Sequence, residues 1–352
     1  MSERASGAIP KGIDAARVTD WYVANVPGAR PPLEFSIIES GHSNLTYRVT
    51  DAAGSRSVLR RPPLGAVLAT AHDMGREHKI LHALAKTDVP VAPVLGLCKD
   101  DTVAGAPFYV MKFVDGLVLD TAEAVRQHVP GAERMGLGWH AIEVLARLHA
   151  VDIDGVGLGD LGKREQYLGR QIHRWRTQWE KSKTRELPAM EEVGEALERR
   201  QPPQLRTSIV HGDYRIGNMI VKSGRIRAVL DWELCALGDP LADVGFLMNN
   251  WAEPGEESSP TARGAAQTPT SAGGFPTRAQ MLARYQELTG ASTASVDYFR
   301  AFQYWRLAAI VEGVMARYLK NVMGKQVDVG ALKAQIDELA ASAQAAVSRL
   351  GA

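Results

Sequence analysis

Cysteine is nearly missing from this chain: only Cys98 and Cys235 occur, far apart and in no metal-ligand spacing. A disulfide framework and a zinc module are thereby excluded, and a reducing compartment is expected. Net charge is nearly missing too, at +1, so there is neither a basic footprint for nucleic acid nor an acidic tail. No apolar run reaches the roughly 18 residues that a spanning helix needs. The opening MSERASGAIPKG lacks the apolar core of a signal peptide. These absences predict a cytoplasmic protein with no nucleic-acid and no membrane partner. The phosphate-binding pattern G-x-x-x-x-G-K-[ST] does not occur. Residues 157–162 (GLGDLG) match G-x-G-x-x-G, but they follow a helix and open no βαβ unit, so they read as a loop. His78 and His82 are spaced i, i+4, yet Lys79 stands where a zinc protease needs glutamate, so they read as helix-surface residues.

What is present is a chain of 352 residues, 45% hydrophobic and 23% charged. That is long for one core and predicts two lobes. Residues 14–26 have amphipathic helical spacing and stop at Pro27-Gly28. Short runs such as EFSIIES, TYRVTD and SVLRR then read as strands, with a turn at Ala53-Gly54. Helical spacing returns over 70–86, where Met74, Ile80, Leu81 and Leu84 share a side. VPVAPVLGLC and PFYVMKFVDG are strand-like again. From about Thr121 the chain is mainly helical, interrupted by strands between His211 and Glu233. The expected division is a sheet-bearing lobe over residues 1–112 and a helical lobe over 113–352. Residues 253–277, rich in Pro, Gly, Ser, Thr and Ala, predict a flexible loop or lid.

Chemistry concentrates in one stretch, SIVHGDYRIGNMIVKSGRIRAVLDWE. Lys222-Ser223-Gly224-Arg225 predicts a hairpin turn between strands 219–221 and 226–230. An antiparallel hairpin brings the start of its first strand beside the end of its second. Asn218 and Asp231 therefore meet at its open mouth, and Asp213 lies in the loop that leads there. Asp and Asn side by side offer the hard oxygens that suit magnesium carrying water and phosphate. An Asp just upstream can orient a hydroxyl. These are the parts of a kinase catalytic loop, with Asp as base and Asn and a later Asp on the metal.

On HGDYRIGN and VLDWELCALGDPLADVGFL, the chain resembles the aminoglycoside phosphotransferase-like family, from about Phe35 to the last helices. Within it, the chain is most similar to kinase-like domains joined to some acyl-CoA dehydrogenases. The resemblance implies an α+β, two-lobed, protein-kinase-like fold. It implies Asp213 as catalytic base, Asn218 and Asp231 on magnesium, and His211 and Asp243 as braces of the loop. The phosphate-covering loop would be SGHSNLTYRV, with Ser43 and Asn44 as donors. Arg60, in VLRRPP, stands where the family carries a phosphate-contacting Lys, and Glu77 is its matching acidic partner. Backbone groups from Lys112 to Val114 would meet adenine. The expected activity is ATP- and Mg2+-dependent phosphoryl transfer to a hydroxyl of a small molecule. A nucleotide-binding pseudokinase, motivated by Arg60 and the glycine-poor loop, is the other reading. Basic and aromatic residues in 166–186 and 297–325 predict an anionic or acyl-CoA-type acceptor rather than a polycationic aminoglycoside. Nothing in the sequence fixes an oligomeric state.

Overall fold

The computed structural model describes residues 9–38, 44–64, 73–256, 268–319 and 327–350. It opens with helix α1 (Ala15–Asn25), capped by the Asp14 side chain on the Arg17 amide. Strands β1 (Glu34–Ile37), β2 (Leu45–Thr50) and β3 (Arg56–Arg61) follow, then helix α2 (Met74–Leu84). Strand β4 (Val94–Cys98), the short helix α3 (Asp101–Ala104) and strand β5 (Phe108–Lys112) complete the first lobe. The five strands form one antiparallel sheet in the order β1-β2-β3-β5-β4. Both faces of its centre are covered. Leu59, Phe108 and Val110 pack with Val18 and Tyr22 of α1, whereas Val58, Tyr109 and Met111 join the main core with α2. That double burial explains why FYVM runs apolar without alternation.

Beyond this sheet come β6 (Leu117–Val118) and helices α4 (Ala122–His128), α5 (Gly131–Ala150), α6 (Tyr167–Ser182) and α7 (Pro188–Arg199). Strands β7 (Ser208–Val210), β8 (Met219–Lys222), β9 (Arg225–Val229) and β10 (Ala236–Gly238) interrupt the helices. Helices α8 (Leu241–Asn249), α9 (Arg278–Thr289), α10 (Val296–Leu319) and α11 (Val329–Ser348) close the chain. Strand β8 pairs with β6 and β9, and β7 pairs with β10, all antiparallel. Both turn residues of the β8–β9 hairpin have positive φ, Ser223 at 52° and Gly224 at 63°. That is the primed turn whose twist matches its strands. The whole is an α+β, two-lobed, kinase-like fold. No helix among the described residues is long and apolar enough to cross a membrane.

One guanidinium fastens the two lobes. Arg76, on α2, donates to the carbonyls of Leu161 and Cys235 at 2.9 Å each. Lys79 adds an ion pair to Asp160 at 2.5 Å.

The loop expected at 253–277 needs correction. Residues 257–267 lie outside the described residues, but the segment after them is packed. Thr268, Thr270 and Phe275 are buried. The Trp251 indole donates to the Pro276 carbonyl at 2.7 Å, and Arg134 of α5 donates to the Ala272 carbonyl at 2.8 Å. Composition suggested a loop because these residues are small and polar. The contacts that anchor them come from distant aromatic and basic side chains.

Candidate active site

The stretch from Ser208 to Glu233 folds as one device. Strand β7 ends at Val210, and the chain then turns through His211, Gly212 and Asp213. Gly212 has φ 86°, and a Cβ there would stand 2.7 Å from the Leu234 carbonyl oxygen, so only glycine fits. Asp243, at the start of α8, accepts both the His211 and Gly212 amides, at 2.6 and 2.8 Å. It also meets His149 Nε2 at 3.3 Å. Burial raises the Asp243 carboxyl, but the His149 hydrogen bond and charge, with His211 and the Gly212 amide, outweigh it and hold the group below its ordinary range. The His211 ring fixes the loop from the other side. Its Nδ1 receives the Asp213 amide at 3.1 Å, so that nitrogen is bare and Nε2 carries the proton given to the Leu230 carbonyl at 2.9 Å. His211 and Asp243 thus brace the loop.

Asp213 ends up beside Asn218. The Asn218 amide group donates to the Asp213 carbonyl at 2.9 Å and to its carboxylate at 2.7 Å. This network assigns Nδ2 to that side and turns Oδ1 away, where it accepts no hydrogen bond among the described residues. Asn218 closes a single 3-10 turn at Ile216–Asn218, and its carbonyl accepts the Leu230 amide at 2.8 Å across the hairpin mouth. Asp231 follows in the left-handed region, at φ 67°. That conformation is one Asp tolerates, and it swings the carboxylate off the strand.

The first lobe meets this cluster through Arg60. Its Nε donates to Glu77 at 3.0 Å and its Nη2 to Asp231 at 2.8 Å. Glu77 also accepts from the Tyr109 hydroxyl at 3.0 Å and from Asn44 Nδ2 at 3.3 Å. Burial pulls the Arg60 guanidinium down, but Glu77, Tyr109, Asp231 and Glu233 together raise it. Burial dominates at Glu77 and lifts its carboxyl despite Arg60. Arg60 of β3, Glu77 of α2, Tyr109 of β5, Asn44 just before β2 and Asp231 just after β9 are therefore joined in one hydrogen-bonded group.

The expected nucleotide contacts divide. Ser43 lies outside the described residues. Asn44 is in the cluster, bridging Glu77 and Glu233 at 3.3 Å each. The Lys112 amide is committed to the Pro93 carbonyl at 2.8 Å, and the Phe113 amide to the Arg56 carbonyl at 3.4 Å. Lys112 thus has no amide to offer a base, while the Val114 amide makes no hydrogen bond among the described residues.

Four residues drew no catalytic expectation from sequence. Glu233 sits two residues after Asp231 and reaches Asn44; its spacing was a usable signal. Tyr109 holds Glu77 from the neighbouring strand. His149, near the end of α5, links Asp243 to Tyr285, with Nδ1 at 2.8 Å from the tyrosine hydroxyl. Arg306 of α10 donates to the Gly212 carbonyl at 3.0 Å. The last three arrive by long-range packing, which spacing does not reveal.

The aromatic lining expected on the acceptor side is corrected. Trp175, Trp179, Tyr304 and Trp305 are buried core residues. Arg176, Lys183 and Arg300 pair with Glu198, Glu180 and Asp297, and Arg185 pairs with Asp337. Lys320 and Lys325 lie outside the described residues. Arg170, Lys181 and Arg317 make no carboxylate ion pair among the described residues, and two further basic residues lie against an aromatic ring. Arg174 and Arg306 face the Trp175 ring at 5.1 and 5.4 Å from its centroid, neither with a carboxylate ion pair among the described residues.

Residues 34–288 match the model of the phosphotransferase enzyme family. The chain is 36% identical over 294 residues to mouse (Mus musculus) acyl-CoA dehydrogenase family member 10, covering 82% of this chain and 27% of that protein. It is 34% identical over 291 residues to chicken (Gallus gallus) acyl-CoA dehydrogenase family member 11, covering 80% and 36%. It therefore spans about a third or less of the length of these relatives. Among solved structures, a Ralstonia eutropha JMP134 protein provisionally classed as an aminoglycoside phosphotransferase superposes with TM-score 0.80 at 32% identity, covering 96% of this chain and 98% of that one. An ADP-bound aminoglycoside phosphotransferase shares the fold at TM-score 0.56 and 14% identity, covering 95% and 99%.

Proposed function

Because this chain belongs to the phosphotransferase enzyme family, we propose that it transfers the terminal phosphoryl group of Mg2+-ATP to a hydroxyl of a small molecule. One observation carries this reading: the Asp213–Asn218 pair and the Asp231–Arg60–Glu77 group both converge on the mouth of the β8–β9 hairpin, where the Leu230 amide meets the Asn218 carbonyl. Separate structural duties for these side chains would not require them to meet.

The donor set fits magnesium. Among the described residues no group of three or more His, Cys, Asp or Glu is arranged to hold a metal by itself. Two or three protein oxygens completed by water and phosphate are what magnesium accepts. Asn218 Oδ1 and the Asp231 carboxylate would hold it, with Glu233 close by. When bound, it would neutralise charge on the phosphates. Arg60 keeps Nη1 unbonded among the described residues, so it can face phosphate without releasing Glu77. Asp213, oriented by Asn218 and the His211 bond to its amide, accepts or aligns the proton of the acceptor hydroxyl. Catalysis is then positioning and electrostatics, with no covalent intermediate on the protein. The pseudokinase reading loses one of its two motives, because Arg60 makes the ion pair expected of the usual lysine.

For the acceptor we favour an anionic or acyl-CoA-type hydroxyl compound. Unneutralised Arg174 and Arg306 near the catalytic loop repel an aminoglycoside. The region shared with acyl-CoA dehydrogenase family members 10 and 11 supports a hydroxylated acyl-CoA as one candidate. Calorimetric titration of ATP with and without magnesium tests the nucleotide part. Wild type should bind more tightly with the metal, and Asp231→Asn should erase most of that difference. An unchanged magnesium dependence in the variant would remove Asp231 from the metal site.

A further inference from the structure

Arg306 is buried, at 6% exposure, in a helix that packs under the catalytic loop. Its Nη1 donates to the Gly212 carbonyl at 3.0 Å and to Gln303 Oε1 at 2.7 Å. Both acceptors are neutral. Nε is sealed off without a partner, and Nη2 makes no hydrogen bond among the described residues yet is not sealed. A buried cation without a paired anion is costly, and a brace for one carbonyl needs no charge. Gln303, with an amide of the right kind, is already beside it.

A second cation aggravates the cost. Arg174, exposed on α6, places its guanidinium carbon 5.1 Å from the Trp175 ring centroid, while that of Arg306 lies at 5.4 Å. The two share one indole and repel each other. Burial and Arg174 pull the Arg306 guanidinium down, and Tyr167, Asp213 and Asp243 only partly restore it. Arg176, Lys183, Arg185 and Arg300 nearby in sequence are each neutralised by a carboxylate. An anion within reach of both Arg174 and Arg306 would relieve both the missing partner and the repulsion.

We propose that Arg174 and Arg306, flanking Trp175 beside the Gly212–Asp213 turn, form a subsite for an anionic group of the acceptor, a carboxylate or a phosphate carried near the hydroxyl to be phosphorylated. The subsite rests on the phosphotransferase reading for its role, and on its own geometry for its ligand. It deepens that reading by fixing where the acceptor's negative charge lies. Arg306 then does two things: Nη1 holds the loop, and Nη2 meets the anion.

The test is calorimetric titration of the intact chain with glycerol, glycerate and glycerol phosphate, each with and without saturating Mg2+-ADP. Glycerol is the neutral control, and the two anions separate carboxylate from phosphate. Wild type should bind at least one anion and not glycerol. Arg306→Gln and Arg174→Gln should each weaken that anion at least tenfold, with Mg2+-ADP affinity held within twofold, and Arg306→Lys should retain most of the binding. Absence of anion binding by wild type overturns the subsite. So does anion binding that survives both glutamine substitutions. Equal loss of nucleotide and anion in Arg306→Gln would make the residue a loop brace only and also overturn it. A wild type that binds the anion but no Mg2+-ADP would instead refute the nucleotide reading and leave the subsite standing.

Discussion

Replacing Arg60 by Met removes two charged hydrogen bonds, one to Glu77 within the first lobe and one to Asp231 across the lobes. The two carboxylates are not equally harmed. The Asp231 side chain is 29% exposed and can take up water, but the Glu77 side chain is 4% exposed. Breaking a buried pair by removing one partner costs about 3–5 kcal/mol. Glu77 keeps its bonds from Tyr109 and Asn44, so the expected cost is at the low end, about 3 kcal/mol. It should depend on pH with a definite sign. Burial already raises the Glu77 carboxyl above its ordinary value of 4.5, and loss of Arg60 raises it further. Between the unfolded and folded pKa values the folded state then binds more protons, so stability falls as pH rises through that window. The deficit of Arg60→Met should shrink as pH falls toward the ordinary carboxylate value and grow as pH rises above it. Urea unfolding of wild type, Arg60→Met, Glu77→Gln and the double variant reads this directly. With a slope of roughly 3 kcal/mol/M the midpoint at pH 7.5 should drop by about 1 M, and the double variant should recover most of it, because no buried charge is left unpaired. A deficit independent of pH, or a double variant no better than Arg60→Met, would refute the reasoning.

Two further outcomes follow from the loop. Gly212→Ala forces a side chain into the left-handed region against the Leu234 carbonyl; thermal unfolding should show a loss of about 2 kcal/mol or more, within the usual range for such strain. Asp243→Asn should lower stability at pH 7 because it removes a buried acceptor of two amides and a histidine. The Asp243 pKa is depressed below its ordinary 3.8, so its contribution is fully present above that value and fades as pH falls through the lower folded pKa. The gap between wild type and variant should therefore persist down to about pH 4. A gap that closes by pH 6 would contradict this.

Local pattern made much of this legible. Helix α2 could be read from Met74, Ile80, Leu81 and Leu84, all of which are buried. The hairpin that brings Asn218 to Asp231 followed from one turn sequence and the geometry of antiparallel pairing. Arg60 and Glu77 were reachable only through a resemblance, since seventeen residues of separation carry no period, and the structure sets them 3.0 Å apart. The loop contacts of Arg306 and His149 were not legible. Each acts across the helical lobe, on partners 94 residues away in sequence. Residues 268–277 misled for the same reason, since their anchors are Arg134 and Trp251. The aromatic residues of α6 and α10 misled in the opposite direction. Sequence places them beside basic residues, but packing turns them inward and leaves Arg174 and Arg306 without carboxylate partners.

The central claim is that Asp213 serves phosphoryl transfer to a hydroxyl. The most direct measurement is mass detection of phosphorylated product after incubating Mg2+-ATP with a panel of anionic hydroxyl compounds and hydroxyacyl-CoA thioesters, beside kanamycin-type aminoglycosides. The chain should phosphorylate a member of the anionic group, with no product when magnesium is chelated. Asp213→Asn should lower that rate by about 10²–10⁴ while Mg2+-ATP still binds within a few-fold of wild type. Product formed at the wild-type rate by Asp213→Asn, or efficient phosphorylation of aminoglycosides alone, would contradict the account.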